Sequence, residues 1–155
     1  VYRLTDPAIE AFVVAATEAG QEGRHALSAA RAVRFSAQLA SAGARALWHR
    51  PILAVASRRN ILGITLGDVV YLAGDGALAS WPLIAHETAH VAQYHQRGIP
   101  RFLGAYALEY LRHRGAGMPD HDAYLALSDE VEARRVERLA AQRRPAGPWL
   151  RRDAS

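Results

Sequence analysis

The sequence predicts a single, mainly helical α+β domain with a small antiparallel hairpin or sheet, and three observations lead there. Alanine-rich and apolar-periodic stretches dominate the chain, one β-branched block interrupts them at residues 61–73, and no segment repeats. With 155 residues and 50% hydrophobic composition, the chain has the size of one domain and can bury a core without cross-links. One domain over residues 1–155 is therefore expected.

Each element has its own signal. Thr5-Asp6-Pro7 places a side-chain cap ahead of a proline suited to a first turn, so a helix should run to about Gly20. Residues 25–47 are alanine-rich, carry arginines at 31, 34 and 45 and lack proline, which predicts a second, longer helix weakened at Gly43. Pro51 breaks that pattern. In ILGITLGDVVYLA, residues 61–73, two β-branched runs flank Gly67-Asp68, a two-residue hairpin turn. Ser80 and Pro82 then open a helix that should stop at Gly98-Ile99-Pro100.

The next segment, PRFLGAYALEYLRHRG, sets Phe102, Tyr106 and Tyr110 in one row and Leu103, Ala107 and Leu111 in the adjacent row. It predicts an amphipathic helix ending near Gly115, with the tyrosines as half-buried packing residues. A loop through Gly117-Met118-Pro119 leads to a charged final helix over about 122–142. Residues 143–155 read as a flexible or partner-dependent tail.

Composition narrows the chemistry. There is no cysteine, so disulfides and thiolate metal sites are excluded and any metal must take nitrogen and oxygen ligands. The basic residues, nineteen in number and all arginine, exceed fifteen acidic ones, giving a net charge of +4. That modest excess fits a solvated surface and calls for no specific nucleic-acid partner. No apolar run reaches the roughly 18 residues of a membrane span, and the N-terminus lacks the order of a signal peptide. The expectation is a soluble protein, cytoplasmic or exported without a visible signal peptide. The chain opens on Val1 and holds only Met118, so removal of a natural start is also expected.

Chemistry concentrates in IAHETAHVAQYH, residues 84–95. His86-Glu87-Thr88-Ala89-His90 has the His-Glu-x-x-His spacing. Positions four apart on a helix differ by only about 40° around its axis, so both imidazoles can reach one zinc ion. Glu87 is offset from them and can reach a metal-bound water. His86, Glu87, His90, Gln93 and Tyr94 share one arc of the helical wheel, opposite Trp81, Ile84, Ala85, Thr88, Val91 and Ala92. His95 falls on the apolar side and reads as an ordinary histidine satisfied by hydrogen bonds.

Catalytic zinc usually takes three protein ligands and keeps one position for water. The chain after His90 reads VAQYHQRGIP, with no His-x-x-Gly-x-x-His continuation, so the third ligand must be distant. The acidic cluster Asp129, Glu130 and Glu132 offers the best candidates; His113, Asp120, His121 and Asp122 compete.

TLGDVVYL, LIAHETAHVAQYHQRG, RFLGAYALEYLRHR and AYLALSDEVEARR, in this order, resemble the bacterial metallopeptidase-like domains found in or near contractile injection systems and large secreted toxins. The likeness covers about residues 61–136; the metallopeptidase-like core is set at 61–140, and the N-terminal helices of residues 1–50 lie outside it. The resemblance implies a compact zincin-like fold of the gluzincin type, with the hairpin beside the motif helix. It implies zinc held by His86, His90 and a later glutamate, with Glu87 catalytic. Glu130 matches the first glutamate of the family's Glu-x-Glu-Ala segment and Glu132 the second. The resemblance places the ligand at Glu130, because gluzincins commonly set it four residues before a supporting acid; this chain has Arg134 at that later position, which keeps Glu132 as the alternative ligand. An aliphatic residue is usual at the place of Thr88.

The implied activity is peptide hydrolysis by a metal-activated water, with Glu87 as general base and a nearby donor stabilising the oxyanion. Tyr124 and His113 are candidates for that donor, and Gln93 for orienting the site. An edge strand at residues 69–72 would let an extended peptide or protein substrate add to the sheet. The alternative is a non-catalytic or latent zinc-containing interaction or cargo module of a secretion or toxin assembly.

Overall fold

A computed structural model describes residues 1–37 and 62–153. In chain order the elements are β1 (Tyr2–Leu4), α1 (Asp6–Glu18), α2 (Gly23–Ala32), β2 (Arg34–Ser36), β3 (Gly63–Leu66), β4 (Val69–Leu72), α3 (Asp75–Leu78), α4 (Trp81–Arg97), α5 (Ile99–Gly115), α6 (Asp120–Leu125), α7 (Ser128–Ala141) and β5 (Leu150–Arg152). The architecture is α+β and mainly helical, as expected. No described helix is long and apolar enough to cross a membrane.

Helices α1, α2, α4 and α7 enclose the core. Phe12, Ala15 and Ala16 of α1 meet Ala26, Ala29 and Ala30 of α2, Ile84, Ala85, Ala89 and Val91 of α4, and Ala133, Val136 and Ala140 of α7. The many alanines keep the helix axes close, and Phe12 and Ile84 fill the space between them. The Trp81 indole N–H donates to the Ala140 carbonyl at 2.9 Å, joining the start of α4 to the end of α7. Helix α4 begins as predicted, with Ser80 Oγ accepting from the Leu83 N–H at 3.5 Å, and ends at Gly98, whose φ of 76° favours glycine.

The hairpin forms with Gly67 and Asp68 in its turn. It belongs to a larger mixed sheet, however, of order β3-β4-β2-β1-β5, in which β2 and β4 are parallel and the other pairs antiparallel. Strand β4, the expected edge, is flanked on both sides; among the described residues the edge beside the motif helix is β3.

Three expectations are corrected. The second helix ends at Ala32, because Val33 and Phe35 enter the core on extended backbone and β2 pairs between β1 and β4. The remainder of that expected helix, residues 38–47, lies outside the described residues. The final helix is two: Leu127 is fully buried on extended backbone, and the Glu109 carboxylate accepts from the Ser128 N–H at 3.1 Å and hydroxyl at 2.8 Å, starting α7 afresh. The tail is tied down. Strand β5 pairs with β1, Trp149 donates to the Leu78 carbonyl at 2.8 Å, and the Thr5 hydroxyl, instead of capping α1, donates to the Pro148 carbonyl at 2.8 Å.

Helix α5 turns its aromatic row inward, with Phe102 buried and Tyr106 and Tyr110 half-buried, and leaves Leu103 and Leu111 exposed. His95 has the ordinary role expected of it. Its Nε2 meets Asp68 Oδ1 at 2.6 Å and its Nδ1 meets Ser28 Oγ at 2.9 Å, which fastens the hairpin turn and α2 to α4.

Candidate metal centre

Helix α4 is enclosed on nearly every side, so the polar arc seen on its wheel faces other elements instead of solvent. Glu87, His90, Gln93 and Tyr94 are all buried. Opposite them runs α7, and there Glu130, 3% exposed, approaches both imidazoles. Glu130 Oε2 lies 3.6 Å from His86 Nε2 and Glu130 Oε1 lies 3.3 Å from His90 Nε2. One ligand atom from each of the three residues falls within 4.8 Å of the others, so together they could hold a metal ion. His86 stands at the rim, with 12% of its side chain exposed.

The far side of each imidazole is also engaged. His86 Nδ1 lies 3.0 Å from Glu137 Oε2, and His90 Nδ1 lies 2.8 Å from Gln93 Oε1. An acceptor at Nδ1 keeps a proton there, so the proton that a metal ion would displace is the one on Nε2, which faces Glu130. Glu137 was missed in the sequence. It sits two helical turns beyond Glu130 and on the same face, so the periodicity of α7 carried the signal. The position four residues beyond Glu130 holds no acid: Arg134 donates to the Glu130 and Leu125 carbonyls at 3.2 and 2.9 Å, and its guanidinium lies 4.0 Å from Glu130 Oε2.

Glu87 points toward the hairpin. Its Oε2 accepts from the Thr65 hydroxyl at 2.6 Å, and its carboxyl group packs over Gly63, where a Cβ would come within 2.6 Å of Oε1. Thr65 and Gly63 are thus further site residues, hidden in the sequence because strand alternation does not show which helix a strand will face. Thr88 packs on the opposite side and donates to the Ile84 carbonyl at 2.7 Å.

Two tyrosines close on Glu130. Tyr106 donates to Glu130 Oε1 at 3.2 Å, while Tyr124 feels both the charge and a hydrogen bond of the same carboxylate. Burial, then the charge of Glu130, pushes both phenols far above the ordinary tyrosine value. Tyr106 had read as a packing residue only. Of the other candidates, Glu132 is turned away to bind Gln21 and Gln93 at 2.8 and 2.9 Å, and Asp129 pairs with Arg97. His113 lies 3.7 Å from Glu109, Asp120 accepts from Tyr110, and His121 and Asp122 are exposed. None of these joins the cluster among the described residues.

The cluster is electrostatically coupled. Burial alone would lower His86, but hydrogen bonds to Glu130 and Glu137 and the nearby charge of Glu87 outweigh it and push the imidazole up to about 10. Burial would raise Glu130, but its contacts with His86 and His90 hold it well below the usual carboxylate range. Metal ligation needs neutral imidazole, so a bound ion must displace a proton that the metal-free site holds at neutral pH. Titration calorimetry at pH 7.5 in buffers of different ionisation enthalpy should show at least one proton released per ion bound.

The sign for metal-free stability is opposite on the two sides. The raised His86 contributes stability that is present below about pH 6.5 and lost as pH rises toward 10; the lowered Glu130 contributes above about pH 4.5 and is lost in acid. Melting temperatures of the metal-free protein should carry this cluster's contribution at its greatest between those two values.

Comparisons of the chain with protein-family models, curated proteins and solved structures returned no match.

Proposed function

We propose that the chain is a zinc-dependent metallopeptidase of the gluzincin kind, with His86, His90 and Glu130 as ligands and Glu87 as general base. One observation carries the reading: two Nε2 atoms four residues apart on α4 face a single buried carboxylate of α7, with the Glu87 carboxylate fixed beside them by Thr65. Ligands about 2.0–2.1 Å from a tetrahedral zinc stand roughly 3.3 Å apart, close to the separations of 3.3 and 3.6 Å between Glu130 and the imidazoles. The donor set, two imidazoles and one carboxylate, suits that ion.

Bound there, zinc would supply Lewis acidity, lowering the pKa of water toward about 7 and polarising a peptide carbonyl. Glu87 takes the proton of the attacking water and returns it to the leaving amine. Glu137 and Gln93 hold the two imidazoles with Nε2 forward. Tyr106 and Tyr124, whose hydroxyls are hydrogen-bonded to Glu130, hold that carboxylate toward the two imidazoles. The substrate is an extended peptide lying along β3. Among the described residues that strand is the edge, and its Gly63 and Thr65 touch Glu87.

Gly63→Val tests that arrangement. The added side chain invades the space of the Glu87 carboxyl, which can swing aside at small cost in stability but loses its position. Hydrolysis should fall about 100-fold, the usual consequence of misplacing a reacting group by about 1 Å. Zinc content should be unchanged.

The reading as a whole is tested by assaying zinc-loaded protein on a panel of unfolded proteins and peptides, with and without chelation. Zinc-dependent cleavage is expected; protein that binds no zinc would overturn the proposal. A second reading rests on the depth of the site, where Glu87, His90 and Glu130 are only 3–7% exposed. It makes the chain a zinc-containing interaction or cargo module of a larger secretion or toxin assembly. Zinc bound without cleavage of any substrate would favour it.

A further inference from the structure

Behind His90 a largely buried hydrogen-bonded chain runs from α4 through α7 and ends in the loop between the N-terminal helices α1 and α2. Gln93 receives the His90 Nδ1 proton on its Oε1 at 2.8 Å and gives both amide protons away, to the Asp129 carbonyl at 3.0 Å and to Glu132 Oε1 at 2.9 Å. Glu132 Oε1 accepts a second proton, from Gln21 Nε2 at 2.8 Å. The same nitrogen of Gln21, which follows α1, also donates to the Ala89 carbonyl at 3.1 Å. Gln21 and Gln93 are 7% and 1% exposed, so water has little part in setting them.

Directionality is what the chain transmits. A flip of the Gln93 amide would press its oxygen against a carbonyl and a carboxylate, both acceptors only. Its oxygen must therefore face His90, the proton must sit on His90 Nδ1, and Nε2 must face Glu130. Gln21 is constrained likewise, since its Nε2 also meets two acceptors. Its Oε1 is left buried without a partner among the described residues, so the two donations alone fix the amide.

We propose that Glu132 and Gln21 are positioning residues of the metal centre, setting the tautomer and ring orientation of His90 through Gln93. The inference rests on reading His90 as a metal ligand. It gives the loop between the N-terminal helices a share in the site, as a fixed wall instead of a removable cover. It also accounts for Glu132: the second acid of the Glu-x-Glu pair orients a ligand that the first joins.

Two measurements test this, neither involving peptide cleavage. In metal-free protein labelled with ¹⁵N, the Gln93 side-chain amide protons and the His90 Nδ1 proton should be protected from exchange. Glu132→Leu should abolish both protections, while Glu132→Gln, which still offers one oxygen to two donors, should keep them. Zinc affinity should fall about 10–100-fold for Glu132→Leu, the range found when the partner of a ligating histidine is removed. Gln21→Leu should lower it less, and Glu132→Gln should stay within about threefold of the parent.

An unprotected Gln93 amide in the parent, or protection that survives Glu132→Leu, would overturn the proposal. So would a folded Glu132→Leu protein with the parent's zinc affinity. Should Glu132→Leu fail to fold, the Gln21→Leu and Glu132→Gln pair decides: equal zinc affinities for the two also overturn it. A parent protein that binds no zinc but shows the protections would refute the metallopeptidase reading and leave the hydrogen-bonded chain standing.

Discussion

Glu87→Gln should retain a full complement of zinc and lose peptide hydrolysis by roughly 10²–10⁴-fold, the usual contribution of a positioned acid or base. Glutamine keeps the shape of the side chain and can still accept from the Thr65 hydroxyl, so the wall of the site made by α4 and β3 is undisturbed. What disappears is the ability to take up a proton. Metal content by atomic spectroscopy and turnover on the same preparation would separate the two effects. A variant that cleaves as fast as its parent would remove Glu87 from the chemistry, and one that loses zinc would make it a ligand or a structural support.

Glu130→Gln should lower zinc affinity by several orders of magnitude. The substitution replaces a charged ligand with an amide while His86 and His90 stay in place, and two imidazoles alone leave a first-row ion weakly held. The matched change at Glu132 should have almost no effect, because that side chain serves only as an acceptor to Gln21 and Gln93. The pair of variants separates the two carboxylates that the sequence could not. Competition with a chromophoric chelator would measure both, and a reversal of the two results would move the ligand to Glu132.

Much of the site was legible because it lies within single helices. His86 and His90 are one turn apart with Glu87 between them, and helical periodicity needs no knowledge of the rest of the fold. The same holds for the ends of α4, where Ser80, Pro82 and Gly98 act through their own backbone. Legibility failed where partners are distant in sequence. Nothing in LGITLG says that Thr65 will meet Glu87, and Glu137 announces itself only once α7 is known to lie along α4. Tyr106 was seen as half-buried, which it is, but the carboxylate it faces belongs to another helix.

The sheet was the least readable part for a related reason. Strands β1, β2 and β5 have three residues each, too few for alternation to stand out, and they exist by pairing with segments far along the chain. Tyr2 lies opposite Arg152, and Arg34 opposite Val69. The stretch before β2 does form α2, but the helix does not run on past Ala32, where Val33 and Phe35 are buried and β2 pairs with β1 and β4.

The proposed ligands all ride on α4 and α7, two helices clamped by core contacts and by the bond from Trp81 to Ala140. Their grip is preformed, since His86 and His90 already close on Glu130 through ion pairs and hydrogen bonds between the side chains. Unlike a small domain that collapses only around its ion, this scaffold should survive stripping by a chelator with its circular dichroism unchanged and reload without a refolding delay.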